Sequence, residues 1–159
     1  IKAYPCAEIG DVGIVNGVEY TVVDRAMLDL MIINNEDLMK ICTTRITNMG
    51  WEGELPQAPI GLFLGQFDNL SEFNQPIGNW DVSNVINMDF LFFSSEFNQP
   101  IGDWDTSSVT DMSYMFYGNY EFYQDLRSWT VENVTDCENF SSLISQWTLL
   151  KPNFTNCTP

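Results

Sequence analysis

The chain has 159 residues, 45% of them hydrophobic and 18% charged, enough apolar content for a packed core and too little bias for intrinsic disorder. Six Lys and Arg against 22 Asp and Glu leave a net charge of -16, which repels phosphate backbones and anionic lipid headgroups and excludes nucleic-acid binding. Histidine is absent, which removes Ser-His-Asp and Cys-His catalysis and the usual zinc sites, and no run reaches the roughly 18 apolar residues of a membrane span.

The first predicted element is a hairpin. Val12-Gly13-Ile14-Val15 and Val18 to Val23 flank Asn16-Gly17, the strongest short turn signal. Asp24 is placed to N-cap a helix with Met27, Leu28, Leu30 and Met31 mostly on one face. A second short helix is expected around Glu36–Cys42, and Ile46-Thr47-Asn48-Met49 echoes Val109-Thr110-Asp111-Met112 further on. Gly50 to Pro59, with Trp51 and two prolines, then reads as an insertion.

An internal repeat follows. Phe73-Asn74-Gln75-Pro76-Ile77-Gly78-Asn79-Trp80-Asp81 recurs as Phe97-Asn98-Gln99-Pro100-Ile101-Gly102-Asp103-Trp104-Asp105, and decays to Phe122-Tyr123-Gln124-Asp125-Leu126-Arg127-Ser128-Trp129-Thr130. The tryptophans step by 24 and then 25 residues, and Val85, Val109, Val134 and Met88, Met112, Cys137 keep the register. That period lies in the leucine-rich-repeat window, and Ile77-x-x-Trp80-x-Val82 follows the L-x-x-L-x-L spacing. Alternation puts Trp80 and Val82 inside a short strand; Val85, Met88, Leu91 and Phe92 then read as a helical or 3₁₀ stripe. Asn74 and Asn98 are expected to bond backbone between coils. The expected fold is α/β: a leucine-rich-repeat-like solenoid with an N-terminal hairpin-helix cap over residues 1–60, coils over 61–142 and a C-terminal cap over 143–159.

The blocks Phe97–Val109 and Val109–Phe116 resemble the BspA-type leucine-rich-repeat surface proteins of bacteria, mycoplasmas and some microbial eukaryotes. The run Asn16 to Asp24, followed by Leu38–Met49, is similar to the segment that precedes such repeats. The resemblance covers roughly residues 10–142 and is most specific over 73–117. It implies a secreted or surface-anchored protein acting in adhesion or protein interaction without catalysis, and it carries over no binding residue. The third copy departs from the pattern at Tyr123, Asp125 and Cys137.

The outward strand positions would be Asn79, Asp81 and Ser83; Asp103, Asp105 and Ser107; and Ser128, Thr130 and Glu132, an acidic and hydroxylic face about 10–15 Å wide. Asp81, Asp103 and Asp105 are weak Ca²⁺ candidates, since no calcium-loop spacing surrounds them. No cofactor is expected. Cys6, Cys42, Cys137 and Cys157 are far apart, allow three pairings, and are expected as Cys6–Cys42 and Cys137–Cys157 in an oxidising compartment. A start at Ile1 without Met reads as a processed or excised chain. Sequons at Asn69, Asn133, Asn139, Asn153 and Asn156 would carry glycans in a eukaryotic secretory pathway.

Three functions follow in order. The first is a secreted or cell-surface module that meets a protein or glycan partner. The second is a subunit of an extracellular filament or coat, with the hairpin edge making head-to-tail contacts. The third and weakest is carbohydrate binding through Trp51, Tyr117 or Tyr120. Enzyme activity and membrane insertion are not expected.

Overall fold

The computed structural model describes residues 7–50, 73–147 and 150–159. Strands β1 (Val12–Val15) and β2 (Val18–Val22) pair antiparallel, with Val12 opposite Thr21 and Val15 opposite Val18. Asn16 and Gly17 both adopt positive φ, 50° and 81°, the geometry that lets a two-residue turn match the strand twist. Helix α1 (Arg25–Ile33) follows, and the Asp24 carboxylate accepts from the Met27 N–H at 2.8 Å as its N-cap. Leu28 and Ile32 are buried, whereas Leu30 is 60% exposed. A 3₁₀ turn (Leu38–Lys40) and β3 (Ile41–Cys42) replace the helix expected around 36–42. Hydrogen bonding across the sheet decides this, because β3 lies parallel to β2 and Val23 N–H donates to the Cys42 carbonyl at 3.0 Å.

Beyond Cys42 the expected α/β leucine-rich-repeat-like solenoid is corrected. The described residues are mostly β, with one α-helix and an open three-stranded sheet of order β1-β2-β3. Among the described residues after 42 there is neither a helix nor a strand longer than an isolated bridge. Left-handed residues stop the helices: Phe90 and Ser94, Tyr114 and Gly118, Asn139 and Leu143 recur in register, each pair four residues apart. No i→i−4 ladder runs through two positive φ angles in one turn.

Successive turns form instead. Phe93 N–H bonds Phe90 O and Tyr117 N–H bonds Tyr114 O, both at 3.1 Å, while alternate N–H groups reach sideways. Phe90 donates to Ser113 O at 3.0 Å, Phe92 to Met115 O at 2.8 Å, and Phe116 to Phe140 O at 2.8 Å. The strands are cut to single parallel bridges, Asn48 with Asn87, Asn87 with Asp111, and Asp111 with Asp136. At each of these four positions the side chain accepts the N–H two residues on, which turns the chain away.

Side chains tie one repeat to the next. The indole N–H of Trp80, Trp104, Trp129 and Trp147 donates to the carbonyl of Leu38, Ile77, Ile101 and Gln124 respectively. Trp80, Trp104 and Trp129 also stack at 6.5 and 6.2 Å with 6° between planes, each pair contributing about 0.5–1.5 kcal/mol beyond burial. Asn74 Oδ1 accepts the Asn98 N–H at 3.0 Å, and Asn98 Oδ1 the Tyr123 N–H at 3.2 Å, so this column ends at Tyr123. Gly78 and Gly102 permit the close approach: a Cβ on either would lie 2.5 Å from Pro100 O or 2.7 Å from Asp125 O.

Cys137 and Cys157 are joined, fastening the C-terminal segment to the last bridge region. Cys42 is buried in β3, and Cys6 lies outside the described residues, as do Trp51 and Asn69.

Candidate functional site

The nine polar positions do not form one sheet face, because they lie in turns and irregular backbone. Asp81 is buried at 5% exposure: Thr44 Oγ1 donates to one carboxylate oxygen at 2.7 Å, and Ser83 Oγ to the other at 2.7 Å. Asn79 is half-buried and donates to Met39 O at 3.1 Å. In the next repeat Asp105 is exposed and accepts the Ser107 hydroxyl at 2.6 Å, and Asp103 is exposed. Ser128, Thr130 and Glu132 are exposed; the Ser128 hydroxyl donates to Gly102 O at 2.7 Å. Asp81 and Asp105 thus work locally as turn acceptors, and among the described residues no group of three or more His, Cys, Asp or Glu is placed to hold a metal. Asp125 is held at about 2 by the guanidinium of Arg127, which donates to it at 2.6 Å on the open surface.

The sequons are placed unequally. Asn133 is exposed, but its amide donates to Ser107 O at 2.7 Å, and Asn156 donates to Glu132 O at 2.5 Å. These two continue a column with Asn84 and Ser108, which bond Thr44 O and Ser83 O. Asn139 is half-buried with φ 54° and donates to Glu138, and Asn153 is exposed.

The turn backbone exposes a feature absent from the sequence reading. Left-handed φ at Phe90 and Tyr114 swings those rings outward while Leu91, Phe92, Met115 and Phe116 stay buried. Phe93 and Tyr117 lie beside them, and all four rings are half-buried. Phe90 stacks on Tyr114 at 4.9 Å and Phe93 on Tyr117 at 5.2 Å, closed by contacts of 5.4 Å between Phe90 and Phe93 and 5.7 Å between Tyr114 and Tyr117. The Tyr114 hydroxyl donates to Glu138 at 3.4 Å, so polar atoms border the rings. Of the aromatic residues singled out for sugar binding, Tyr117 belongs to this quartet, and Tyr120 is exposed outside it. Its sequence signal was present: aromatic-x-x-aromatic at 90/93 and 114/117, one period apart and outside the core columns.

The hairpin is the second exposed surface. All four residues of β1 are exposed, led by Ile14 at 70% and Val12 at 61%.

A family model described as "Mycoplasma protein of unknown function, DUF285" matches residues 62–151, more than half of the chain. The searches of curated proteins and of solved structures found no match.

Proposed function

We propose a function from one premise, that the chain belongs to the DUF285 family: it is a non-enzymatic interaction module of a secreted or cell-surface protein. The membership is consistent with the resemblance of the repeat blocks to BspA-type surface proteins, which act in adhesion. The observation that carries the reading is the Phe90, Phe93, Tyr114 and Tyr117 quartet. Clustered aromatic rings with a polar border are the composition of an interface core, and soluble surfaces rarely gather them without use. The mutual faces of Phe90 with Tyr114 and Phe93 with Tyr117 are taken up by stacking, which favours a protein partner over a sugar ring.

One small patch binds weakly, so adhesion depends on display in many copies. The test is biolayer interferometry of biotinylated chain, as monomer and on streptavidin tetramers, against an array of extracellular-matrix proteins and mucins. The expected result is binding about 100-fold tighter for tetramers, lost with Phe93→Asp and Tyr117→Asp. Absence of saturable binding across the array, or binding indifferent to both variants, overturns the proposal.

Assembly into a filament or coat is a second reading, favoured by the open edge of β1. A net charge of -16 opposes close packing of identical copies at low ionic strength, and that ranks it second.

A further inference from the structure

Among the described residues β1 is an edge strand of the sheet. Val22 N–H donates to Asp11 O at 2.9 Å, and the register pairs Gly13 with Tyr20 and Val15 with Val18. The alternation of an antiparallel ladder then points the backbone N–H and C=O of Val12 and Ile14 away from β2. These two residues also carry the most exposed large apolar side chains of the sheet. Edge strands are ordinarily blunted by Lys, Pro or an inward charge, and Val12-Gly13-Ile14-Val15 carries none of these. Residues 8–23 hold Glu8, Asp11 and Glu19 and no Lys or Arg, within a chain of net charge -16. Pairing of two β1 edges would bring together both sets of carboxylates, so a second copy is disfavoured; a cationic strand is complementary.

We infer that the edge of β1, which no described residue pairs, is a docking site for an extended basic segment of a partner protein, apolar and cationic at alternate positions, which adds as a fourth strand beside Val12–Val15. The backbone of Val12 and Ile14 supplies the ladder bonds, their side chains one apolar face, and Glu8, Asp11 and Glu19 the charge selection. This rests on the reading of the chain as a protein-interaction module.

The experiment is fluorescence anisotropy of a fluorescein-labelled peptide, Lys-Val-Lys-Val-Thr-Val-Lys, titrated with the full chain at low and high salt. Expected is saturable binding at about 10–100 μM, weakened roughly tenfold by 0.5 M salt. Ile14→Pro removes an outward N–H that no hairpin bond uses, and is expected to weaken binding at least about tenfold. Ile14→Lys keeps the backbone donor but repels the cationic strand, with the same expected loss and far-UV circular dichroism unchanged. No binding by the unaltered chain at 1 mM peptide, or binding unaltered in both variants, overturns the inference. Light scattering that shows a dimer abolished by Ile14→Lys also overturns it, by assigning the edge to a second copy. Array binding without peptide binding sinks the edge proposal alone, whereas peptide binding without array binding sinks the aromatic quartet as the recognition site and leaves the edge.

Discussion

The indole Nε1–H of Trp104 donates to the carbonyl oxygen of Ile77, 27 residues earlier, at 3.3 Å. The same ring lies flat between Trp80 and Trp129, so one side chain supplies both a rung and a layer of the stack. Replacement by Phe keeps an aromatic ring but removes one of the two donors to Ile77 O, leaving the Trp80 N–H at 3.0 Å, and opens space beside both neighbours. Trp104→Phe is expected to lower stability by about 2–4 kcal/mol, read as a shift of the urea midpoint with unchanged slope.

The two repeat glycines sit where backbone meets backbone. A Cβ on Gly102 would lie 2.7 Å from the backbone oxygen of Asp125, whereas a Cβ on Gly13 meets nothing within 4 Å. Gly102→Ala is expected to cost about 2 kcal/mol, and Gly13→Ala to stay within about 0.5 kcal/mol of the parent. Thermal unfolding of the pair checks the contrast.

The Cys137–Cys157 bridge spans a sequence separation of 20 and holds the C-terminal segment against the last repeat. Cys157→Ser is expected to remove about 3 kcal/mol by freeing that loop in the unfolded chain. Amide exchange is expected to rise first around Trp147 to Phe154, whose rings pack on Phe140.

Arg127 hydrogen-bonds the Asp125 side chain and lowers its pKa from 3.8 to about 2. A carboxyl depressed in the folded state stabilises above its unfolded pKa and loses that contribution as pH falls through about 2. The pair is fully exposed, so solvent screening keeps the effect on stability small. NMR titration of Asp125 is expected to give a midpoint near 2 in the parent and a higher one, still below 3.8, in Arg127→Ala, which keeps the backbone N–H bond to the carboxylate. An unmoved midpoint would remove Arg127 as the cause.

Phe73, Trp80, Val85, Met88 and their later counterparts are buried in register, as the repeat implies. Asn74 and Asn98 bond the neighbouring repeat, and Asn16-Gly17 makes the hairpin turn. These were legible because apolar period and turn chemistry are written locally. The helix per repeat was not: Val85, Met88, Leu91 and Phe92 have the spacing of a helical stripe, but consecutive turns bury the same positions. Strand alternation places Asp81 outside, yet the backbone is not a strand there, and Thr44 and Ser83 satisfy its carboxylate inside.

By itself the sequence determined the 24–25-residue period, the columns of residues that share a core, the hairpin turn and the net acidic charge. Only the tertiary structure decided that alternate N–H groups along 88–94 and 112–118 bond the next repeat rather than their own chain four residues back. That choice forces left-handed backbone at Phe90 and Tyr114 and sends their rings outward. The physical reason is that a backbone N–H has one best partner, and here the partner sits in another repeat, where no local pattern records it.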